Sequence, residues 1–211
     1  MSKYKDFYNK EAQWVSTSVK GLKGKPLTTF NSSDTSSIVK PIVGKGFGQF
    51  SVCNKKVLTN LIRSKPYASL FVEIGTASNY ITSSTETIIN NKTENCLFYT
   101  IDIAERVLPP ILRLNKNIFI VQSDSTGDKV KELLQGKRID ILFIDGDHSI
   151  DRVFAEYEFY LPYMKDDGII VLHDTTMHPG PLLLMEAIDT NVFKTEIFCS
   201  DDYGIGVICL K

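Results

Sequence analysis

The chain has 211 residues, 43% hydrophobic and 23% charged, the balance of a globular domain with one core rather than of a disordered or fibrous chain. Its 24 basic and 25 acidic side chains leave a net charge of −1, so no overall positive field gathers phosphate backbones and no nucleic-acid partner is expected. No apolar run approaches the roughly 18 residues of a membrane span, the N-terminus MSKYKDFYNKEAQW has no signal-peptide core, and Cys53, Cys96, Cys199 and Cys209 form no CxxC pair, so a cytoplasmic protein in reducing surroundings is expected.

Residues 1–52 read as an extension. Tyr4, Phe7, Tyr8, Ala12 and Val15 fall at helical spacing, followed by Ser/Thr-rich TTFNSSDTSS and the glycine-punctuated IVGKGFGQFS. This makes a helix and a long loop, with Trp14 and the tyrosines as candidate lid residues. Residues 53–211 read as the main domain, in which short apolar runs alternate with longer helix-like stretches. The expected strands are 69–75, 96–102, 117–124, 139–145 and 168–174, each rich in Val, Ile and Phe. Helices are expected near 54–64, 80–91, 104–115, 127–135, 149–164 and 182–189, with Pro109 and Pro110 shortening the third. Two last runs, VFKTEIFC and GIGVICLK, are joined by the tight turn SDDYG and must pair antiparallel. The fold class expected is α/β: a Rossmann-like, doubly wound, mostly parallel seven-stranded sheet ending in an antiparallel hairpin.

Ligands of such sheets sit beyond the carboxyl ends of the strands, where strand order reverses. The residues found there are Glu73, Gly75 and Thr76, then Asp102, then Ser123 and Asp124, then Asp145, and last His173 with Asp174. One acid after one strand is ordinarily a helix cap, but acids at five strand ends point to a polar ligand cleft. The first turn, Glu73-Ile74-Gly75-Thr76-Ala77-Ser78-Asn79, is no GxGxxG phosphate cradle and suits a cationic ligand. S-adenosylmethionine carries a sulfonium and an ammonium and no phosphate. Asp102, 27 residues after Gly75, is placed for ribose hydroxyls, and Asp124 for an adenine amino group.

From Leu58 to Lys211 the chain resembles the class I S-adenosylmethionine-dependent methyltransferases, whose ExGxxxG loop after strand one holds the cofactor. The second glycine of that loop is Asn79 here, a residue that tolerates positive φ. Asp145-Gly146-Asp147-His148 together with His173-Asp174 is similar to the metal-dependent O-methyltransferases acting on sugar hydroxyls. That resemblance implies Asp145, His173 and Asp174 as ligands of Mg²⁺ or another divalent cation and His148 as general base. His173 stands where the branch often has an acid, and an imidazole favours a softer metal than Mg²⁺. His178, in the loop MHPGP, is expected to face solvent, with a place in the wall of the acceptor pocket as the alternative. The implied partner is a small-molecule acceptor, with no membrane and with a homodimer as the commonest assembly. Two alternatives stay open: an inactive methyltransferase-like binding module and an NAD-dependent oxidoreductase.

Overall fold

In a computed structural model, the structure describes residues 50–77, 83–113, 115–176, 178–200 and 203–210. The expected N-terminal helix and lid therefore lie outside the described residues, as does Asn79. Helix α1 (Val52–Arg63) begins where Ser51 Oγ accepts a hydrogen bond from Asn54 N. The alternation then runs β1 (Leu70–Ile74), α2 (Ser84–Asn91), β2 (Leu97–Asp102), α3 (Pro110–Arg113), β3 (Ile118–Gln122), α4 (Asp128–Leu134), β4 (Ile139–Ile144), α5 (Ile150–Tyr160) and β5 (Met164–His173). Helix α6 (Pro179–Ala187) leads to β6 (Phe193–Phe198) and β7 (Ile205–Leu210).

The seven strands lie in the order β3-β2-β1-β4-β5-β7-β6. Strands β1 to β5 pair parallel, and β7 runs antiparallel between β5 and β6. This is the doubly wound, mostly parallel sheet with an antiparallel end that the apolar runs predict. Two boundaries differ from expectation. Pro162 ends α5 at Tyr160 in a short 3-10 turn, and β5 starts at Met164, ahead of Gly168. Helix α3 keeps only four residues, as the adjacent prolines demand.

Period-two alternation divides the core between the sheet's faces. Val72, Ile74, Leu142, Ile144 and Leu172 pack with Val153, Phe154 and Tyr157 of α5 and Leu183 and Leu184 of α6. Phe71, Phe98, Ile141, Phe143 and Val171 pack with Leu58 and Ile62 of α1 and Ile88 and Ile89 of α2. The same alternation turns Glu73, Thr100, Asp145 and His173 toward the α1 and α2 face.

Cys53 and Cys199 are joined in a disulfide that ties the start of α1 to the end of β6 across 146 residues of chain. The expectation of reducing surroundings drawn from the cysteine spacing thus loses its support, because Cys53 and Cys199 meet in the fold although they form no CxxC pair. Closing so long a loop in the unfolded chain stabilises the fold by about 2–4 kcal/mol. Cys96 is free and buried. Among the described residues, no helix is long and apolar enough to cross a membrane.

Candidate active site

The order of the sheet reverses between β1 and β4, and a cleft of about 540 Å³ opens there. Its walls include Gly75, Thr76, Asp102, Ser123, Asp124 and Asp145, six of the residues that the sequence places at strand ends. Gly75 has φ +89 and its N–H donates to Ile101 O at 2.8 Å, which folds the chain end of β1 over β2. Asp102 Oδ2 accepts from Thr76 N at 3.1 Å and its Oδ1 accepts from Ala104 N at 2.8 Å, so this carboxylate shapes the loops on both sides of the cleft.

Glu73 stands apart from the other six. It is fully buried beneath the loop, and its Oε2 accepts from Thr85 Oγ1 at 2.7 Å and Thr100 Oγ1 at 2.6 Å. Thr100 is also 2.7 Å from Thr76 Oγ1, and Thr85 Oγ1 accepts from Ala77 N at 3.1 Å. Glu73 thus sits under the loop after β1 and braces it through two threonines, without lining the cleft. The physical reason is its side of the strand: Ile74, one residue on, faces the cleft.

Burial raises the Glu73 carboxyl from 4.5 to about 7 against the pull of the threonine hydroxyls. The folded protein then keeps a proton that the unfolded chain has already released. Stability therefore falls as pH rises from about 4.5 to about 7 and stays lower above, by about 3 kcal/mol. Glu73→Gln, which carries no charge to bury, is expected to gain about that amount over wild type near pH 8 and almost nothing near pH 4. Urea unfolding at the two pH values measures it, and an equal difference at both would remove the buried carboxylate as its cause.

Two arginines that the sequence reading passed over also enter the cleft. Arg106 Nε lies 2.9 Å from Asp102 Oδ2, and Arg152 pairs with Asp124 while its Nε bonds Glu156 Oε1 at 3.0 Å. The hydrogen bond from Arg152 holds the Asp124 carboxyl down at about 2. The one signal for Arg152 in the sequence is its spacing of four from Glu156 on the helix expected near 149–164. Asp102 and Asp124 reach the cleft as expected from their strand ends, and each is paired there with a guanidinium.

A second pocket of about 210 Å³ lies on the α1 and α2 side and is lined by Phe50, Asp145, His148, His173, Asp174 and Tyr203, among others. Asp145 is common to both cavities. Its Oδ1 is 3.0 Å from His173 Nδ1 and 3.3 Å from His148 Nε2, and His148 Nε2 is 3.2 Å from Asp174 Oδ2. The four residues expected to form the reactive cluster are therefore brought together. Burial pushes the Asp145 carboxyl up, but the two histidines outweigh it and hold it at about 2. Burial draws His148 toward neutrality, yet the Asp145 hydrogen bond and the charges of Asp145 and Asp174 keep its pKa above the usual histidine value. Asp174 is raised, chiefly by burial. It also adopts φ 60, a strained conformation for a residue with a side chain.

Asn54 completes the cluster. Its amide Nδ2 is 2.8 Å from His173 Nε2 and must donate, so that nitrogen accepts and Nδ1 carries the hydrogen facing Asp145. Both ring nitrogens of His173 are then engaged by protein. Nothing in the sequence marks Asn54, which lies 119 residues away on the first turn of α1.

This topology, with a cleft at the strand-order reversal and a carboxylate and imidazole cluster against it, is that of the class I S-adenosylmethionine-dependent methyltransferase fold, and the likenesses that follow support that class for the chain. A family model described as a methyltransferase domain matches residues 72–175, from β1 to just past Asp174. Rhamnosyl O-methyltransferases of Mycobacterium bovis and Mycobacterium tuberculosis are 27% identical over 129 residues, covering 58% of this chain and 52% of theirs. The chain thus spans about half the length of the curated relatives it matches. Among solved structures, the O-methyltransferase from Bacillus cereus in complex with S-adenosylhomocysteine aligns over 94% of this chain and 96% of its own, with TM-score 0.62 and 17% identity. MycE methyltransferase from the mycinamycin biosynthetic pathway, in complex with Mg and S-adenosylhomocysteine, aligns over 85% of this chain and 54% of its own, with TM-score 0.55 and 13% identity. At such identities these two likenesses are of fold.

Proposed function

We propose that the chain methylates a hydroxyl group of a small molecule or sugar, using S-adenosylmethionine and a divalent cation. The observation that carries this reading is Asp145, whose carboxylate belongs at once to the switch-point cleft and to the pocket holding His148, His173 and Asp174. A cofactor in the first cavity and an acceptor in the second would meet across it. The sugar hydroxyl is suggested by the rhamnosyl relatives and the cation by the magnesium in MycE.

The residues fit a cation. Asp174 Oδ1 is buried and accepts no hydrogen bond among the described residues, and a ligand atom from each of Asp145, His173 and Asp174 lies within 4.8 Å of the others. With both His173 nitrogens engaged by Asn54 and Asp145, the two carboxylates are the ligands that suit a hard ion. Asp145 and Asp174 would hold it, and His173, fixed by Asn54, would orient Asp145. A bound cation supplies polarisation of the acceptor hydroxyl, lowering its pKa.

Methyl transfer is a displacement at a carbon activated by the neighbouring sulfonium, so alignment is the protein's main task. Gly75, Thr76 and Asp102 would bind the methionine and ribose parts, and Ser123 and Asp124 the adenine end. Arg106 would yield Asp102 to the ribose. His148 would take the acceptor's proton as its oxygen bonds the methyl carbon and the carbon–sulfur bond breaks, leaving S-adenosylhomocysteine.

Thermal unfolding with added S-adenosylhomocysteine, followed by methylation assays on rhamnosyl acceptors with Mg²⁺ or with a chelator, tests the reading. Protection by S-adenosylhomocysteine and chelator-sensitive transfer are expected. Protection by NAD instead, or by neither, would overturn it in favour of an oxidoreductase or an inactive module.

A further inference from the structure

His178 is the histidine that the proposed reaction leaves unused. It occupies the residue before α6, and its ring stacks on that of His148 with centroids 4.5 Å apart and planes 14° apart. The two Nε2 atoms converge on one oxygen: Asp174 Oδ2 is 3.2 Å from His148 Nε2 and 3.7 Å from His178 Nε2. One ligand atom from each of the three residues lies within 4.8 Å of the others.

The backbone holds this arrangement in place. His178 N donates to Asp174 O at 3.0 Å, closing the turn that keeps Asp174 at φ 60. Gly180 N donates to His148 O at 3.2 Å, pinning the start of α6 to the loop that carries His148. That approach needs glycine: a Cβ at position 180 would lie 2.7 Å from Ser149 O and closer still to His148 O. The ligands come from two segments, the loop before α5 and the turn between β5 and α6, and the Gly180 contact holds these segments together, so that a turn of the His178 ring is all that a shared ion requires.

We propose that His148, Asp174 and His178 form a binding site for a borderline transition-metal ion of the Zn²⁺ and Co²⁺ kind, distinct from the two-carboxylate seat of the hard cation, and that filling it inhibits the enzyme. Imidazole nitrogen selects Zn²⁺, Co²⁺ or Ni²⁺ over Mg²⁺, whereas Asp145 and Asp174 alone favour the harder ion. Ligands about 2.0–2.1 Å from a tetrahedral zinc ion stand about 3.3 Å apart, the spacing His148 and Asp174 already have. Three protein ligands leave one position of such an ion open to solvent or to an acceptor oxygen. His173 does not compete, because Asn54 and Asp145 engage its two nitrogens. The two sites share Asp174, so one ion displaces the other. The inhibitory part rests on the proposed role of His148: an ion on its Nε2 takes the lone pair that would accept the acceptor's proton.

Co²⁺ added to the full chain, followed by visible d–d absorption and displaced by Zn²⁺, tests the site without reference to turnover. Wild type is expected to give the intense spectrum of a four- or five-coordinate ion. His178→Ala, and His178→Asn as a second variant with its melting temperature checked, are expected to bind Co²⁺ about tenfold or more weakly. Both should keep Mg²⁺-supported methyl transfer and lose inhibition by Zn²⁺. A wild-type chain giving only the weak six-coordinate spectrum, or variants that bind Co²⁺ as wild type does, would overturn the proposal. Failure of the methyltransferase reading looks different: the cobalt spectrum and its dependence on His178 would stand while no acceptor is methylated.

Discussion

His148→Ala is expected to lower turnover by about 10²–10⁴-fold while S-adenosylhomocysteine binds with wild-type affinity, the range being that of a lost general base. The separation of effects follows from the cavities. His148 lines the small pocket with Asp174 and Tyr203, whereas the cleft beside it is walled by Gly75, Thr76, Asp102 and Asp124. Removing the imidazole therefore leaves the proposed cofactor contacts in place. His148→Gln keeps a polar group of similar reach without a base and should be as slow as the alanine variant. Single-turnover methylation and calorimetric titration with S-adenosylhomocysteine measure the two quantities separately. Undiminished turnover in both variants would take His148 out of the mechanism, and a parallel loss of cofactor affinity would make it a structural residue.

What the sequence made legible was whatever depends on local pattern. Runs such as Phe71-Val72-Glu73-Ile74 and Ile141-Leu142-Phe143-Ile144 are apolar on both faces because helices cover both, so strand, parallel pairing and layer order followed together. The positions of Asp102, Asp124, Asp145 and Asp174 followed from the same rule, since strand ends in such a sheet share one rim. Side-chain direction at those ends was harder to read. Glu73 and Asp102 both end strands, yet one is sealed under the loop and the other reaches the cleft, a distinction set by the pleat and by where Thr85 and Thr100 fall. Contacts between distant segments left no trace at all. Asn54 on His173, Arg152 on Asp124 and Cys53 on Cys199 each join parts of the chain whose meeting is decided by the packed fold. The stack of His148 on His178 is of the same kind, because it depends on how α6 turns back over the end of β5.

Gly75→Ala is expected to cost about 3–5 kcal/mol of stability and to disable the proposed cofactor and cation sites together. Position 75 has φ +89, which a residue with a Cβ adopts only under strain. Space is the second obstacle: an added Cβ would lie 2.6 Å from the Asp145 carbonyl carbon and closer still to its oxygen. Backbone, not a movable side chain, is what it meets. Asp145 N donates to Ile74 O at 2.9 Å as the ends of β1 and β4 close, so relief of the clash must push Asp145 away from Gly75. That shift carries the Asp145 carboxylate off His148 and His173 while the loop after β1 opens on the other side. A defect confined to one site would leave the other's ligand affinity untouched. Denaturant unfolding, S-adenosylhomocysteine titration and Mg²⁺ titration on this one variant should instead all move in the same direction. Retained Mg²⁺ affinity alongside lost cofactor binding would show that the two cavities do not depend on a single backbone contact, and with it would go the claim that Asp145 couples them.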